Sequence, residues 1–187
     1  MRDEGLIDVP NPSALFLGSG QREPVIGSVT VPVLQGTRPL LVEVQALVSA
    51  NPFGVPRRMT AGFDVNRAAL LIAVLDKKVG LRLGNCDAYI NAVGGVKIIE
   101  PAADLAVAVA VASSHREVPV VPGTVVIGEV GLTGEIRPVT KLNKRLKEAA
   151  MLGFKRAVVC AAQEVRNHLE TIRVATLGEA LEAALEP

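Results

Sequence analysis

Tryptophan is absent from this chain, tyrosine occurs once, and aromatic residues make up only 3% of it. A platform on which single-stranded bases stack needs several exposed rings, so that mode of nucleic-acid binding is disfavoured. The two cysteines, Cys86 and Cys160, lie far apart in apolar segments without a C-x-x-C pair. They read as buried free thiols, not as a disulfide or metal site. The two histidines, His115 and His168, are equally isolated and read as surface or helix-end residues. No G-x-x-x-x-G-K-S/T, G-x-G-x-x-G after a strand, H-E-x-x-H or G-x-S-x-G occurs. These absences argue against an ATP site, a zinc-protease centre or a hydrolase nucleophile elbow built by this chain. Apolar runs such as residues 105–112 fall well short of the roughly 20 residues that span a bilayer, and no basic-then-apolar leader is visible. We therefore expect a cytoplasmic chain with no membrane partner.

What is present is a chain of 187 residues, 49% hydrophobic and 21% charged, enough for one ordinary core with an appended arm. Its 20 basic and 19 acidic residues leave a net charge of +1, so any affinity for nucleic acid must come from uneven placement. Residues 1–23 mix turn formers with a small apolar cluster at 15–17 and end in a Gly-Ser-Gly loop, which reads as an arm or linker. Residues 24–187 read as the folded domain. Valine-rich runs at 24–35 and 39–49 flank turn residues and predict a β-hairpin. Asp64 caps a helix whose apolar positions Val65, Ala68, Ala69, Ile72, Leu75 and Val79 recur at helical spacing. A strand is expected at 87–93. A helix opened by Glu100 and Pro101 is apolar nearly all round and should lie in the core. Strands at 124–130, 156–160 and 172–175 alternate with an amphipathic basic helix inside 128–154, a short helix at 163–168 and a terminal helix at 177–185. The class is α/β (α+β) with a mixed sheet.

Residues 128–154, GEVGLTGEIRPVTKLNKRLKEAAMLGF, carry the most specific pattern. They resemble the lysine segment of the Lon family proteolytic domain, Thr-Gly-Glu-Val followed by Leu-x-Gly-x-Val-x-Pro-Ile-Gly-Gly-Leu-Lys-Glu-Lys. Gly128, Glu129, Gly134, Pro138, Leu142, Ala149 and Gly153 match without a gap. The resemblance implies a Lon proteolytic-domain-like fold, a mixed sheet with packed helices akin to the second domain of ribosomal protein S5. The same register puts Asn143 where the family has its catalytic lysine. On a helical wheel Asn143 flanks the apolar face and should turn toward the site rather than solvent. The family's serine follows Asp-Gly-Pro as Ser-Ala-Gly. Here Glu100-Pro101-Ala102 leads to Ala103, taken as the nucleophile position. Alanine has no oxygen to attack a carbonyl, and a carboxamide takes up no proton near neutral pH, so a degenerate site without catalytic residues is expected. A relocated dyad using Lys144 with Ser113 or Ser114 is the weaker alternative. One helical step turns a side chain by about 100°, and those serines sit about 15 Å further along the helix.

Nearly the whole chain resembles the C-terminal, Lon-like domain of the bacterial RadA (Sms) family of DNA repair proteins. The segments carrying this are DEGLIDVPNPSALFLGSG, RRMTAGFDVNRAALLIAVLDK, DAYINAVGGVKIIEPAADLA and GEVGLTGEIRPV. The resemblance implies an upstream zinc finger and P-loop ATPase core that would hold Zn, ATP and Mg, with no cofactor or metal in this chain. It further implies a homohexameric ring, an ATP-driven motor on single-stranded or branched DNA, and the RecA recombinase as partner. This chain's expected share is ring assembly and sequence-independent DNA contact.

Candidate DNA-contacting residues follow from the charge pattern. Lys141, Lys144 and Arg145 fall within about a 100° arc of the basic helix, with Lys147 further round and Arg137 just before it. Arg57, Arg58 and Arg67 join them if the fold brings them near. In a ring each such charge repeats by symmetry, which suits phosphate binding. The competing readings are lysines that only solvate the helix, a pure oligomerisation module, and an active Ser-Lys peptidase.

Overall fold

In the computed structural model the described residues are 24–52, 54–166 and 169–185. Expectations for the arm at 1–23 and for His168 fall outside them. The opening hairpin forms as expected: β1 (Ser28–Gln35) pairs antiparallel with β2 (Arg38–Ala50), with Ser28 opposite Gln45 and Gln35 opposite Arg38. Gly27 sets its start. The residue has φ +74°, and a Cβ there would lie 2.4 Å from the Ala46 carbonyl oxygen, so only glycine lets the chain enter against β2.

β3 (Arg58–Ala61) and β4 (Cys86–Ala92) extend the sheet on the β2 side. β5 (Thr124–Ile127), β8 (Arg156–Cys160) and β9 (Glu170–Val174) extend it in parallel on the β1 side. The result is a seven-stranded mixed sheet in the order β3-β4-β2-β1-β5-β8-β9. β6 (Glu129–Val130) and β7 (Ile136–Arg137) form a separate two-stranded ribbon.

Helices cover both faces. α1 (Val65–Val74) starts at Asp64, whose carboxylate accepts the Arg67 N–H at 2.7 Å, and widens into a π turn at Leu75–Val79 before Gly80 ends it. α2 (Asp104–Arg116) is buried along Leu105–Ala112 with zero exposure at every residue, as its all-round apolar pattern predicts. It packs on β1, β2 and β5 and is covered by α1 and α4 (Leu177–Ala184). α3 (Leu142–Met151) lies on the opposite face, where Leu142, Leu146 and Ala149 join Leu41, Val125, Ala157 and Val159 in a second apolar cluster.

Two expectations need correction. Residues 124–130 are not one strand: the chain breaks at Gly128, whose N–H donates to the Ala102 carbonyl and whose carbonyl accepts from Leu105, both at 3.0 Å. Those bonds replace a sheet ladder with a tie to the start of α2. Of the short helix expected at 163–168, residues 163–166 are irregular and the last two fall outside the described residues. The Gln163 amide instead brackets Val139, accepting its N–H at 2.8 Å and donating to its carbonyl at 2.7 Å.

Because α2 is sealed on all sides, enlarging it forces strain into every layer. Ala108→Leu is expected to lower unfolding free energy by about 1–3 kcal/mol. Urea denaturation checks this, and an unchanged midpoint would mean the layer around Ala108 has slack.

Candidate functional site

The basic helix and the start of α2 are joined by one ion pair whose arginine is fully buried and whose carboxylate is partly exposed. Arg145 is fully buried and uses all three guanidinium nitrogens. Nη1 donates to Glu100 Oε1 and to the Pro32 carbonyl, both at 2.7 Å; Nη2 donates to Glu100 Oε2 at 2.6 Å, and Nε to the Thr140 carbonyl at 2.9 Å. Glu100 Oε1 also accepts the Leu34 N–H at 2.6 Å. This bidentate pair ties α3, β1 and the turn before α2 together. The expected arc of Lys141, Lys144 and Arg145 is therefore corrected: Arg145 is absent from the surface. Its position was visible in the spacing, since residues 142, 145, 146 and 149 form one helical stripe, and that stripe is buried.

A second pair sits at the first turn of α2. The Asp104 side chain is 1% exposed and meets Arg67, with Arg67 Nε 3.0 Å from Oδ1 and Nη2 on Oδ2. The Val130 N–H also donates to Oδ2 at 3.3 Å. Burial pushes the Asp104 carboxyl above its ordinary range, opposed by the Arg67 hydrogen bond and charge; the same hydrogen bond raises the Arg67 guanidinium against its own desolvation. Both shifts are upward but have different leading causes, desolvation for Asp104 and the hydrogen bond for Arg67, because the carboxylate loses far more water than the partly exposed arginine. Beside this pair lies an open cleft of about 940 Å³, lined by Phe63, Lys97, Ile99 and Pro101 among others. The one hydroxyl in its lining, Thr60, donates to the Phe63 carbonyl at 2.6 Å. Among the described residues no group of three or more His, Cys, Asp or Glu side chains could hold a metal ion.

The positions expected to correspond to a Ser-Lys dyad are placed as follows. Ala103 is fully buried and belongs to the cluster around α2, whereas Ala102, directly after Pro101, shares the α3 cluster with Leu142 and Leu146. The residue facing α3 is thus Ala102, and it too lacks a hydroxyl. Asn143 is exposed and does not turn toward a site. It stands about 200° around the helix from Arg145. Its carboxamide holds the loop instead: Oδ1 accepts the Arg166 N–H at 2.7 Å and Nδ2 donates to the Glu164 carbonyl at 3.5 Å. Ser113 and Ser114 are engaged at the far end of α2. Ser113 Oγ accepts the Gly27 N–H at 2.8 Å and donates to the Val118 carbonyl at 2.6 Å, and Ser114 Oγ accepts the Val48 N–H at 2.9 Å.

The remaining basic candidates divide by what they touch. Arg58 donates to the carbonyls of Cys86 and, at 3.1 Å, Leu83, so it braces the turn into β4. Arg67 is held by Asp104 as described. Arg137 pairs with Glu135 at 2.6 Å and Glu129 at 3.6 Å. Arg57 is exposed, and its backbone N–H donates to Asp87 Oδ1 at 2.8 Å. Lys141, Lys144 and Lys147 are exposed, with no ion pair to any described residue. Lys141 precedes α3 in a left-handed conformation, φ +55°. Lys144 and Lys147 are one i, i+3 step apart on α3, about 4.5 Å along its axis, and Lys141 stands immediately before the helix. Sequence reasoning missed Glu100 and Asp104 because an acidic residue at a helix start reads first as a dipole partner.

Removing one half of the Arg145–Glu100 pair leaves the other uncompensated. Arg145→Ala is expected to cost about 3–5 kcal/mol of stability. Arg145→Met with Glu100→Leu should recover much of that loss in thermal melts, and failure to recover would place the cost in packing rather than charge.

The comparisons bear on this geometry. A family model described as "Subunit ChlI of Mg-chelatase" matches residues 92–163, which run from the end of β4 through α2 and α3. Proteins named "DNA repair protein RadA" match over 99% of the chain: 50% identity in Bacillus subtilis, 51% in Listeria monocytogenes and 49% in Halalkalibacterium halodurans. The chain spans 41% of the length of each of these relatives. At about half identity over nearly every residue, this chain is a homologue of the C-terminal part of the DNA repair protein RadA family.

Proposed function

We propose that this chain is a non-proteolytic, DNA-contacting part of a DNA repair protein, acting in the cytoplasm. The observation that carries the reading is the set of Lys141, Lys144 and Lys147, exposed and in no ion pair among the described residues, beside a fully buried Arg145. A helix that anchors itself through one arginine and leaves three lysines to solvent presents positive charge on a rigid support. Such a set suits phosphates of any sequence, because unshared ammonium groups read charge and not base edges.

The same reading has the chain join copies of itself in a homohexameric ring beneath an ATP-driven, helicase-like motor, with ATP, Mg and Zn held by upstream domains and RecA recombinase as a partner. Support for that wider assembly is the relatives' name and the length by which they exceed this chain. Support for the absence of proteolysis is chemical: Ala102 and Ala103 offer no hydroxyl, Asn143 no exchangeable base, and both serines of α2 are tied into the sheet.

Binding of duplex DNA across a salt series tests the claim. Lys141→Ala, Lys144→Ala and Lys147→Ala together should weaken binding and reduce the salt slope by about 2–3, at about 0.9 per phosphate contact. Arg145 is left intact, since its loss would unfold the support. No binding by the parent chain, or an unchanged slope, would overturn the DNA contact and leave a pure oligomerisation module. Labelling by a serine-directed probe that Lys144→Ala abolishes would restore the peptidase reading.

A further inference from the structure

Residues 96–99, Val-Lys-Ile-Ile, belong to no helix or strand, yet their burial alternates as a strand's does. Val96 and Ile98 are buried, whereas Lys97 is exposed and Ile99 is 83% exposed. The backbone is extended at both ends, with φ −68° and ψ 133° at Val96 and φ −83° and ψ 141° at Glu100. One edge of this segment is held. The Ile98 N–H donates at 2.8 Å to the carbonyl of Gly62, the residue after β3. Gly62 permits the approach: at its φ of +76°, a Cβ would lie 2.3 Å from the Val96 carbonyl oxygen. Successive N–H groups of extended backbone point to opposite edges, so those of Lys97 and Ile99 face away from Gly62. Neither has a hydrogen-bond partner among the described residues.

We propose that this open edge takes an extended acidic peptide by strand addition. Residues 97–100 separate two hollows, the cleft of about 940 Å³ beside Asp104 and a second of about 310 Å³ against Gln35 and Gly36. A strand paired to Lys97 and Ile99 sends alternate side chains to either side of its own backbone, one set into each hollow. The larger hollow offers Phe63, Val65 and Pro101 to an apolar side chain. Charge fixes the partner's sign. Asp64 accepts the Arg67 N–H, Glu100 is held by Arg145 and Leu34, and Asp104 by Arg67 and Val130. Lys97 is in no ion pair with any described residue, and the Arg67 side chain stays 32% exposed. The unshared charge at the edge is therefore positive, and a peptide carboxylate complements it.

Strand addition has a backbone signature. In hydrogen exchange read by NMR on the full chain, the Ile98 amide should be slow from the start and those of Lys97 and Ile99 fast. Millimolar acetyl-Glu-Val-Glu-Leu-Glu-amide should slow the latter two. The same peptide N-methylated at every residue should bind about tenfold more weakly, having lost its donors, as should acetyl-Lys-Val-Lys-Leu-Lys-amide, having the wrong sign. Ile99→Pro should weaken binding about tenfold beyond Ile99→Ala, which keeps the N–H, with the two variants melting alike. Equal binding by either control peptide, or exchange at Lys97 and Ile99 left unslowed, overturns the proposal. So does slowing that grows with protein concentration in the absence of peptide, since it assigns the edge to a second copy.

Discussion

Arg145 and Glu100 form the contact on which the arrangement of this molecule turns. The pair joins elements from three places in the chain: the hairpin through Pro32 and Leu34, the entry to α2 through Glu100, and α3 through Arg145 itself. A guanidinium removed from water is tolerated only when its donors are met, and here each nitrogen finds an oxygen. The energetic value of such a pair against an apolar substitute is small; its geometric consequence is large. It fixes how α3 is rotated about its own axis, and so which side chains of that helix meet solvent.

That rotation decides what the helix can do. With Arg145 inward, Lys144 and Lys147 point out, and Lys141 stands ahead of them in a conformation that non-glycine residues rarely adopt. Asn143, two residues from Arg145, is carried round to the loop at 164–166 and becomes a brace for it. On the other side of the sheet, Asp104 performs the corresponding task at the head of α2, holding Arg67 and the Val130 N–H. The two carboxylates on either side of residues 101–103 thus tie the start of the central helix to both layers around it.

The sequence stated a good deal on its own. The hairpin, the Asp64 cap, the buried α2 and the strands β4, β8 and β9 were legible because each rests on local chemistry: turn residues, a cap, an all-round apolar run, or a short apolar run between breakers. The break at Gly128 was not legible, because its cause is a pair of hydrogen bonds to Ala102 and Leu105, residues more than twenty positions away. The irregular stretch at 163–166 escaped for the same reason, since the Val139 backbone captures Gln163.

At the candidate site the division follows the same line. Sequence alone determined the residue types: alanines after Pro101, an asparagine at 143, and a basic helix behind two glycine turns. Only the tertiary structure decided which of those charges are available, because a lysine and an arginine look alike in a charge count until a partly buried carboxylate selects one of them. Glu100 selects Arg145, and the lysines around it are left to solvent.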